Sequence, residues 1–298
     1  MLALGIDIGG TMIKTAIVDS NGTLSGKRLF PTAINLKDQL LEIVREELAA
    51  HKVEAIGIGT AGRVDPITGN VNLSTSNLTN WTGVPVKTLI QEKTGVVTTV
   101  LNDSNAAAFG EWFCNYRRAE TLVMLTAGSG LGGGIVINGS PLLGKRGEAA
   151  EFGHIIIHPG GKPCNCGKEG CAEQYVSMRL IHSLVAAAAG QEMDRATLIE
   201  QYLNGNPVVE EAVSTVAGDL AIVVDSVFLS LDPDLVVVGG GVCELGKRFL
   251  KSLREELSVL SGSSLYTEEN VVLSLSGNDA GIIGAAVYAM AGEASGNE

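Results

Sequence analysis

Residues 128–134 read GSGLGGG and run straight into IVING at 135–139. Gly128, Gly130 and Gly133 have the G-x-G-x-x-G spacing of a dinucleotide-binding loop, and the apolar run TLVML at 121–125 reads as a strand. That loop needs a helix to open at the glycines, because the helix N-terminus holds the pyrophosphate. Here the β-branched triplet Ile135, Val136, Ile137 follows, and then the turn Asn138-Gly139-Ser140. Such residues favour a strand and a hairpin. The Lys-Ser/Thr pair that closes a P-loop is missing as well. The stretch reads as strand, glycine turn, strand, and its glycines need a reason other than a dinucleotide.

Outward from this point strands and helices alternate. LALGIDIGG and IKTAIVD read as two buried strands joined by a glycine turn, and GTLSGKRLF as a third. Apolar residues recur at helical spacing over 36–50, and EAIGIGTAG returns to a strand. VPVKTLIQEKTG is a short helix closed by Gly95, VVTTVLND a strand, and SNAAAFGEWF a helix that Asn102 or Asp103 is suited to cap. The second half has strands around 121–126 and 132–137, then a Gly/Cys-rich loop over 159–172. Long helices cover 177–189 and 207–231, and DLVVVGGGV is a strand ending in glycines ahead of another helix. GNDAGIIGAAVYAM closes the pattern as a turn and an Ala-rich helix. The fold class is α/β, in two halves with no linker between them.

The 298 residues are 45% hydrophobic and 18% charged, enough for one large or two medium domains with cores of their own. A net charge of −12 without a basic run argues against nucleic acid or an anionic membrane as partner. No unbroken apolar segment reaches the ~18–20 residues of a membrane span. The N-terminal residues lack the basic region and cleavage site of a secretory signal. A cytoplasmic enzyme of small molecules is expected. In a reducing compartment five cysteines do not form a disulfide framework.

Three stretches carry chemistry. In DIGGT, Asp7 ends a strand and Gly9-Gly10-Thr11 form a turn whose backbone N–H groups can approach a phosphate. A carboxylate beside such a turn is placed to hold Mg²⁺ through water; an ordinary hairpin with a capping Asp is the alternative. In LNDSNAAAFGE, Asp103 stands at a strand-to-helix junction, either as a cap or as the acceptor of a substrate hydroxyl proton. In EFGHIIIHPGGKPCNCGKEGCAE, His154, Cys164, Cys166 and Cys171 are spaced H-x9-C-x-C-x4-C. Three thiolates and an imidazole make a closed, structural zinc site, against the alternative of buried thiols with a core histidine. His158 competes with His154 for the fourth position.

Together these motifs resemble the ROK (repressor, open reading frame, kinase) sugar kinases of the actin-like ATPase superfamily, over essentially the whole chain. DIGGTMIK resembles the first phosphate motif, NDSNAAA the catalytic-Asp motif, and EFGH with CNCGKEGCAE the signature that holds sugar and zinc. GSGLGGGIV resembles the adenosine/phosphate hairpin, with Ser129 where Thr is usual, so the opening glycines admit phosphates between two strands. The resemblance implies a two-lobed ribonuclease-H/actin-like fold with a zinc knuckle in the second lobe. The first lobe spans 1–116, with the C-terminal helix 279–298 packing back on it, and the second spans 117–278; the active site is expected in the cleft between them.

Residue by residue, the resemblance makes Asp103 the general base. Gly62, Arg63, Thr75, Asn102, Glu151, His154 and Glu173 become sugar ligands, with Asp103 beside them. Asp7, Gly9, Gly10, Thr11 and Lys14 fall on the phosphate and Mg²⁺ side, where Met12 departs from the usual polar residue. Gly128, Ser129, Gly130, Gly132 and Gly133 line the nucleotide hairpin, and Gly240 and Gly241 lie near adenosine. The cofactors implied are ATP, Mg²⁺ and structural Zn²⁺; the assembly implied is a homodimer. The activity implied is phosphoryl transfer to a hydroxyl, the 6-OH, of a hexose or N-acylhexosamine. Gly62-Arg63 and Ser74-Thr75 resemble N-acetylmannosamine kinases more than glucokinases, which favour a proline near position 61. β-Glucoside or other hexose kinases remain open. Repressors of the family carry a helix-turn-helix domain ahead of the sugar-binding part; a motif starting at Asp7 and an acidic charge favour the kinase over such a non-catalytic regulator.

Overall fold

The computed structural model describes residues 1–75, 77–261 and 267–295. Its contacts divide the chain into two compact units. Unit 1 is Met1–Arg118 with Gly134–Ala150 and Asn278–Glu298; unit 2 is Ala119–Gly133 with Glu151–Gly277.

Unit 1 opens with β1 (Leu2–Ile8), β2 (Met12–Asp19) and β3 (Leu24–Pro31), then α1 (Leu36–Ala50) and β4 (Ala55–Thr60). The two-residue β5 (Arg63–Val64) pairs with β6 (Val71–Leu73), and α2 (Val86–Thr94), β7 (Val97–Asn102) and α3 (Asp103–Asn115) follow. The main sheet has the order β3-β2-β1-β4-β7, with β1, β4 and β7 parallel and the first three strands antiparallel. Every residue of β4 is buried, as a central strand covered on both faces requires. α1 buries Leu36, Leu40, Ile43, Val44 and Glu47, one stripe at helical spacing. The buried Glu47 is compensated by the Thr15 hydroxyl at 2.8 Å and the Arg28 guanidinium at 3.3 Å. The other sheet face is covered by the last helix of the chain, over Ala280–Ser295.

Unit 2 is built on β8 (Thr121–Ala127) and the start of β9 (Leu131–Ile137). The glycines therefore lead into a strand, as their β-branched sequel predicts. β9 ends in unit 1, where it pairs with β10 (Ser140–Pro141). This corrects the expected boundary: residues 134–150 do not belong with the second lobe. A Cβ on Gly134 would lie 2.5 Å from Ala108 Cβ, and Gly139 rests on the Trp112 ring, so this segment is packed onto α3. Residues 296–298 of the expected C-terminal helix lie outside the described residues.

The helices of unit 2 are α4 (Met178–Ala189), α5 (Arg195–Leu203), α6 (Pro207–Leu231) and α7 (Gly246–Ser261). Its remaining strands, β11 (Leu235–Gly239) and β12 (Val271–Leu273), give the order β9-β8-β11-β12, parallel from β8 onward. Among the described residues α6 is the one helix long and apolar enough, by composition, to cross a membrane. It buries Val209, Val213, Val216, Leu220, Val224 and Val227 against its neighbours α4 and α7. α8 is the unit 1 helix Ala280–Ser295 already described.

Candidate active site and thiol cluster

In unit 1 the parallel strands β1, β4 and β7 end at one edge, in register: Asp7 opposite Gly59, and Thr60 opposite Asn102. Carboxyl ends of parallel strands are where α/β sheets place ligands. Asp7 is mostly buried there, paired with Lys14 Nζ at 2.8 Å, while Gly9 N donates to Met12 O at 3.0 Å to close the turn. Just past β4, Gly62 O accepts from Asn102 Nδ2 at 3.0 Å. This bond ties the Gly62-Arg63 backbone to the start of α3.

Asn102 is the N-cap of α3: its Oδ1 accepts from the amides of Ser104 and Asn105 at 3.0 and 3.1 Å. The cap is Asn102 rather than Asp103, which is the first helical residue. Asp103 Oδ1 accepts from Ser104 N at 2.8 Å and Asn102 Nδ2 at 3.1 Å, so its carboxylate is oriented by two donors. Arg63 pairs with Glu148 at 3.3 Å, and Arg146 shares the same carboxylate at 3.4 Å. Glu148 had no signal in the sequence, because it lies far along the chain from Arg63. Thr75 is exposed on the turn after β6, its carbonyl accepting from Leu78 N at 3.0 Å. Asn77 packs against Gly10, where a Cβ would come within 2.8 Å of Asn77 Cβ; no local sequence signal marks it either.

In unit 2 the ring of His154 faces two carboxylates. Nε2 lies 3.8 Å from Glu151 Oε2, and Nδ1 lies 3.8 Å from Glu173 Oε1. Nδ1 also lies 3.6 Å from Cys164 Sγ, and Cys166 Sγ lies 3.5 Å from Cys171 Sγ. The ligand atoms of His154, Cys164, Cys166 and Cys171 all fall within 4.8 Å of one another. A tetrahedral zinc with Zn–S near ~2.3 Å sets its sulfurs about 3.8 Å apart, so the donor set fits the ion. Burial pushes the Cys164 and Cys171 thiols up, so a bound cation is what would hold them as thiolates. His158 stands outside the cluster, its Nε2 2.6 Å from Asp219 Oδ1 and its ring 4.4 Å from that of Tyr175. A groove of about 610 Å³ opens beside it, lined by Glu211, Asp219 and Glu256, and none of the expected site residues lines it.

The glycine turn is also in unit 2. Gly128 N donates to Gly130 O at 2.9 Å, whereas Gly132 and Gly133 lie within β9. No atom stands within 4 Å of a Cβ on Gly128, but one on Gly130 would come 3.1 Å from Glu173 Oε2. The hairpin and the thiol loop, separated by some forty residues in sequence, therefore meet at Glu173. Gly240 and Gly241 follow β11, Gly240 at φ 78°. The expected sugar ligands are thus divided: Gly62, Arg63, Thr75, Asn102 and Asp103 belong to unit 1, and Glu151, His154 and Glu173 to unit 2.

The sequence profile of the ROK family matches residues 3–291. The chain belongs to the ROK family. Its ROK relatives include the glucokinase of Streptomyces coelicolor, 32% identical over 307 residues that cover 96% of each chain. The N-acetylmannosamine kinase of Salmonella paratyphi A is also 32% identical, over 97% of this chain and 98% of its own. Among solved ROK structures, a glucokinase from Streptomyces griseus in complex with glucose and AMPPNP superposes with a TM-score of 0.88. It is 32% identical and covers 98% of this chain and 100% of that one.

Proposed function

We infer that this ROK protein is an ATP-dependent sugar kinase that transfers the γ-phosphoryl group to the 6-hydroxyl of a hexose or N-acylhexosamine. The observation that carries the reading is the division of labour at the start of α3: Asn102 caps the helix, and Asp103 offers an oriented carboxylate at the strand edge. Asn102 alone reaches both the Ser104 and Asn105 amides, so the helix start does not depend on Asp103 for its cap. Phosphoryl transfer asks for in-line positioning and a base at the acceptor oxygen, and Asp103 is the group suited to accept that proton.

Each unit offers partners of the kind that sugar hydroxyls need: the Asn102 amide in unit 1, and the Glu151 and Glu173 carboxylates with the His154 imidazole in unit 2. An analogue lacking a hydroxyl leaves such partners unpaired, which is how the site reads stereochemistry. Asp7, Lys14 and the Gly9–Thr11 turn suit the phosphate side, and Mg²⁺, when bound there with ATP, would neutralise phosphate charge. The ligands for zinc are His154, Cys164, Cys166 and Cys171. With Nδ1 toward the thiols, His154 keeps Nε2 for the sugar, so the metal orients a substrate ligand through a shared ring.

The Gly62-Arg63 and Ser74-Thr75 pairs, by their resemblance to N-acetylmannosamine kinases, support an N-acylhexosamine such as N-acetylmannosamine as acceptor, with glucose the alternative. The guanidinium of Arg63, braced by Glu148, is suited to an acyl oxygen that glucose lacks. The test is ADP release with glucose, mannose, fructose, N-acetylglucosamine, N-acetylmannosamine and cellobiose at equal concentration. The expected outcome is the highest kcat/KM with an N-acylhexosamine. Sugar binding without turnover on any acceptor would instead make the protein a sugar-responsive regulator.

A further inference from the structure

We propose that Arg195 reads the nucleobase of the phosphoryl donor, an assignment that rests on the kinase reading above. Strand order in unit 2 points to where a base would lie. β8 and β11 are parallel neighbours, with Leu125 opposite Val238 and Thr126 opposite Gly239. The chain leaves β8 toward β9 on one side and leaves β11 toward β12 on the other. Sheets take ligands in the crevice at the carboxyl ends of two strands whose connections diverge in this way.

The floor of that crevice is bare backbone. A Cβ on Gly240 would lie 2.6 Å from the Ala127 carbonyl oxygen, and Met178 N donates to Gly128 O at 2.9 Å. Arg195, the first residue of α5, lies across the second turn: a Cβ on Gly241 would come 2.7 Å from Arg195 Nη2 and 3.3 Å from Met178 Cβ. The guanidinium is held in one orientation. Nε lies 2.8 Å from Glu244 Oε2, and Nη2 donates to Glu244 Oε1 at 2.9 Å and to Gly241 O at 3.2 Å. Behind it, the Asp194 carboxylate caps α5 by accepting from Thr197 N at 3.0 Å.

A surface ion pair is the plain alternative, but a pair this exposed adds little to stability. What the pairing does achieve is a planar cation fixed over a glycine turn, with 46% of the side chain still open. A purine stacks on such a plane, whereas an ammonium in the same place offers charge without a plane. Arg195 thereby makes the site prefer a two-ring base to a single-ring one at equal triphosphate charge.

The test compares ATP and UTP, each with Mg²⁺ and without sugar, by calorimetric titration of wild type, Arg195→Ala and Arg195→Lys, with circular dichroism to verify folding. Arg195→Ala is expected to weaken ATP by about 3–30-fold and UTP by less, so the preference for ATP shrinks. Arg195→Lys is expected to recover little of the ATP affinity. Unchanged ATP affinity in Arg195→Ala, equal weakening of both triphosphates, or full recovery by lysine each overturns the assignment. A folded wild type that binds no ATP and phosphorylates no sugar brings down the kinase reading itself. Wild-type activity with an unaltered Arg195→Ala variant brings down this inference alone.

Discussion

Asp103 and Asn102 show how two adjacent polar residues take different work. Both are good helix caps, and nothing local ranks one above the other. In the fold Asn102 satisfies the Ser104 and Asn105 amides and reaches Gly62 O, leaving Asp103 as the first helical residue. Asp103→Asn should therefore retain the helix and sugar affinity while lowering kcat by roughly 10²–10⁴-fold, the range for losing a general base. Steady-state kinetics on the purified variant checks this, and near-normal turnover would sink the assignment. The choice between His154 and His158 is a residue-scale question of the same kind. Both precede the cysteines at plausible distances; it is the approach of Asp219 to His158, from sixty-one residues away, that separates them.

At the scale of elements, α8 is the piece whose packing is tightest. A Cβ on Gly57 of β4 would lie 1.9 Å from Ala285 O, and one on Gly284 would lie 1.7 Å from Ala106 O. Helix, strand and α3 meet backbone to backbone, and the neighbour at each contact is a carbonyl that cannot step aside. Gly57→Ala is expected to cost about 1–3 kcal/mol, the usual penalty of overpacking. Gly292 on the exposed end of α8 is the control: a Cβ there meets an atom no closer than 3.8 Å. Gly292→Ala should instead add about 0.5–1 kcal/mol through helix propensity. Urea midpoints of the two variants should move in opposite directions. α8 and α6 were both legible as helices, yet their sequences do not say that one needs glycine partners and the other a broad valine stripe. By contrast α5 and the β5–β6 pair are not legible in the sequence, being short and lacking a long apolar period.

For the molecule as a whole, the proposed zinc site predicts a coupling between metal and sugar. About one zinc per chain is expected in protein purified without chelators, by metal analysis. Cys166→Ser should then weaken sugar binding by about 10–100-fold, because the loop fixes His154 and Glu173. Glu173 follows Cys171 by two residues, so the loop backbone that the ligands fix also sets its carboxylate. Nucleotide affinity, measured with a non-hydrolysable analogue, should change far less. It is not expected to be wholly untouched, since Gly130 of the hairpin lies against Glu173. Equal weakening of both ligands would indicate unfolding, and no weakening of either would divorce the metal from function.

Much of this is written in local sequence. The period of apolar residues, the β-branched run after GSGLGGG and the spacing of one histidine and three cysteines are local patterns, and local patterns are what a sequence states directly. They determined the α/β class, the strand after the glycines and the candidate ligands. Tertiary structure decided the rest: that residues 134–150 pack on α3, that Glu148 braces Arg63, that Glu173 reaches Gly130, and that Arg195 lies over Gly241. Each of these is a contact between segments distant in the chain. No residue type or spacing encodes such a contact, because it arises only when separate elements have each buried their apolar faces and been brought together.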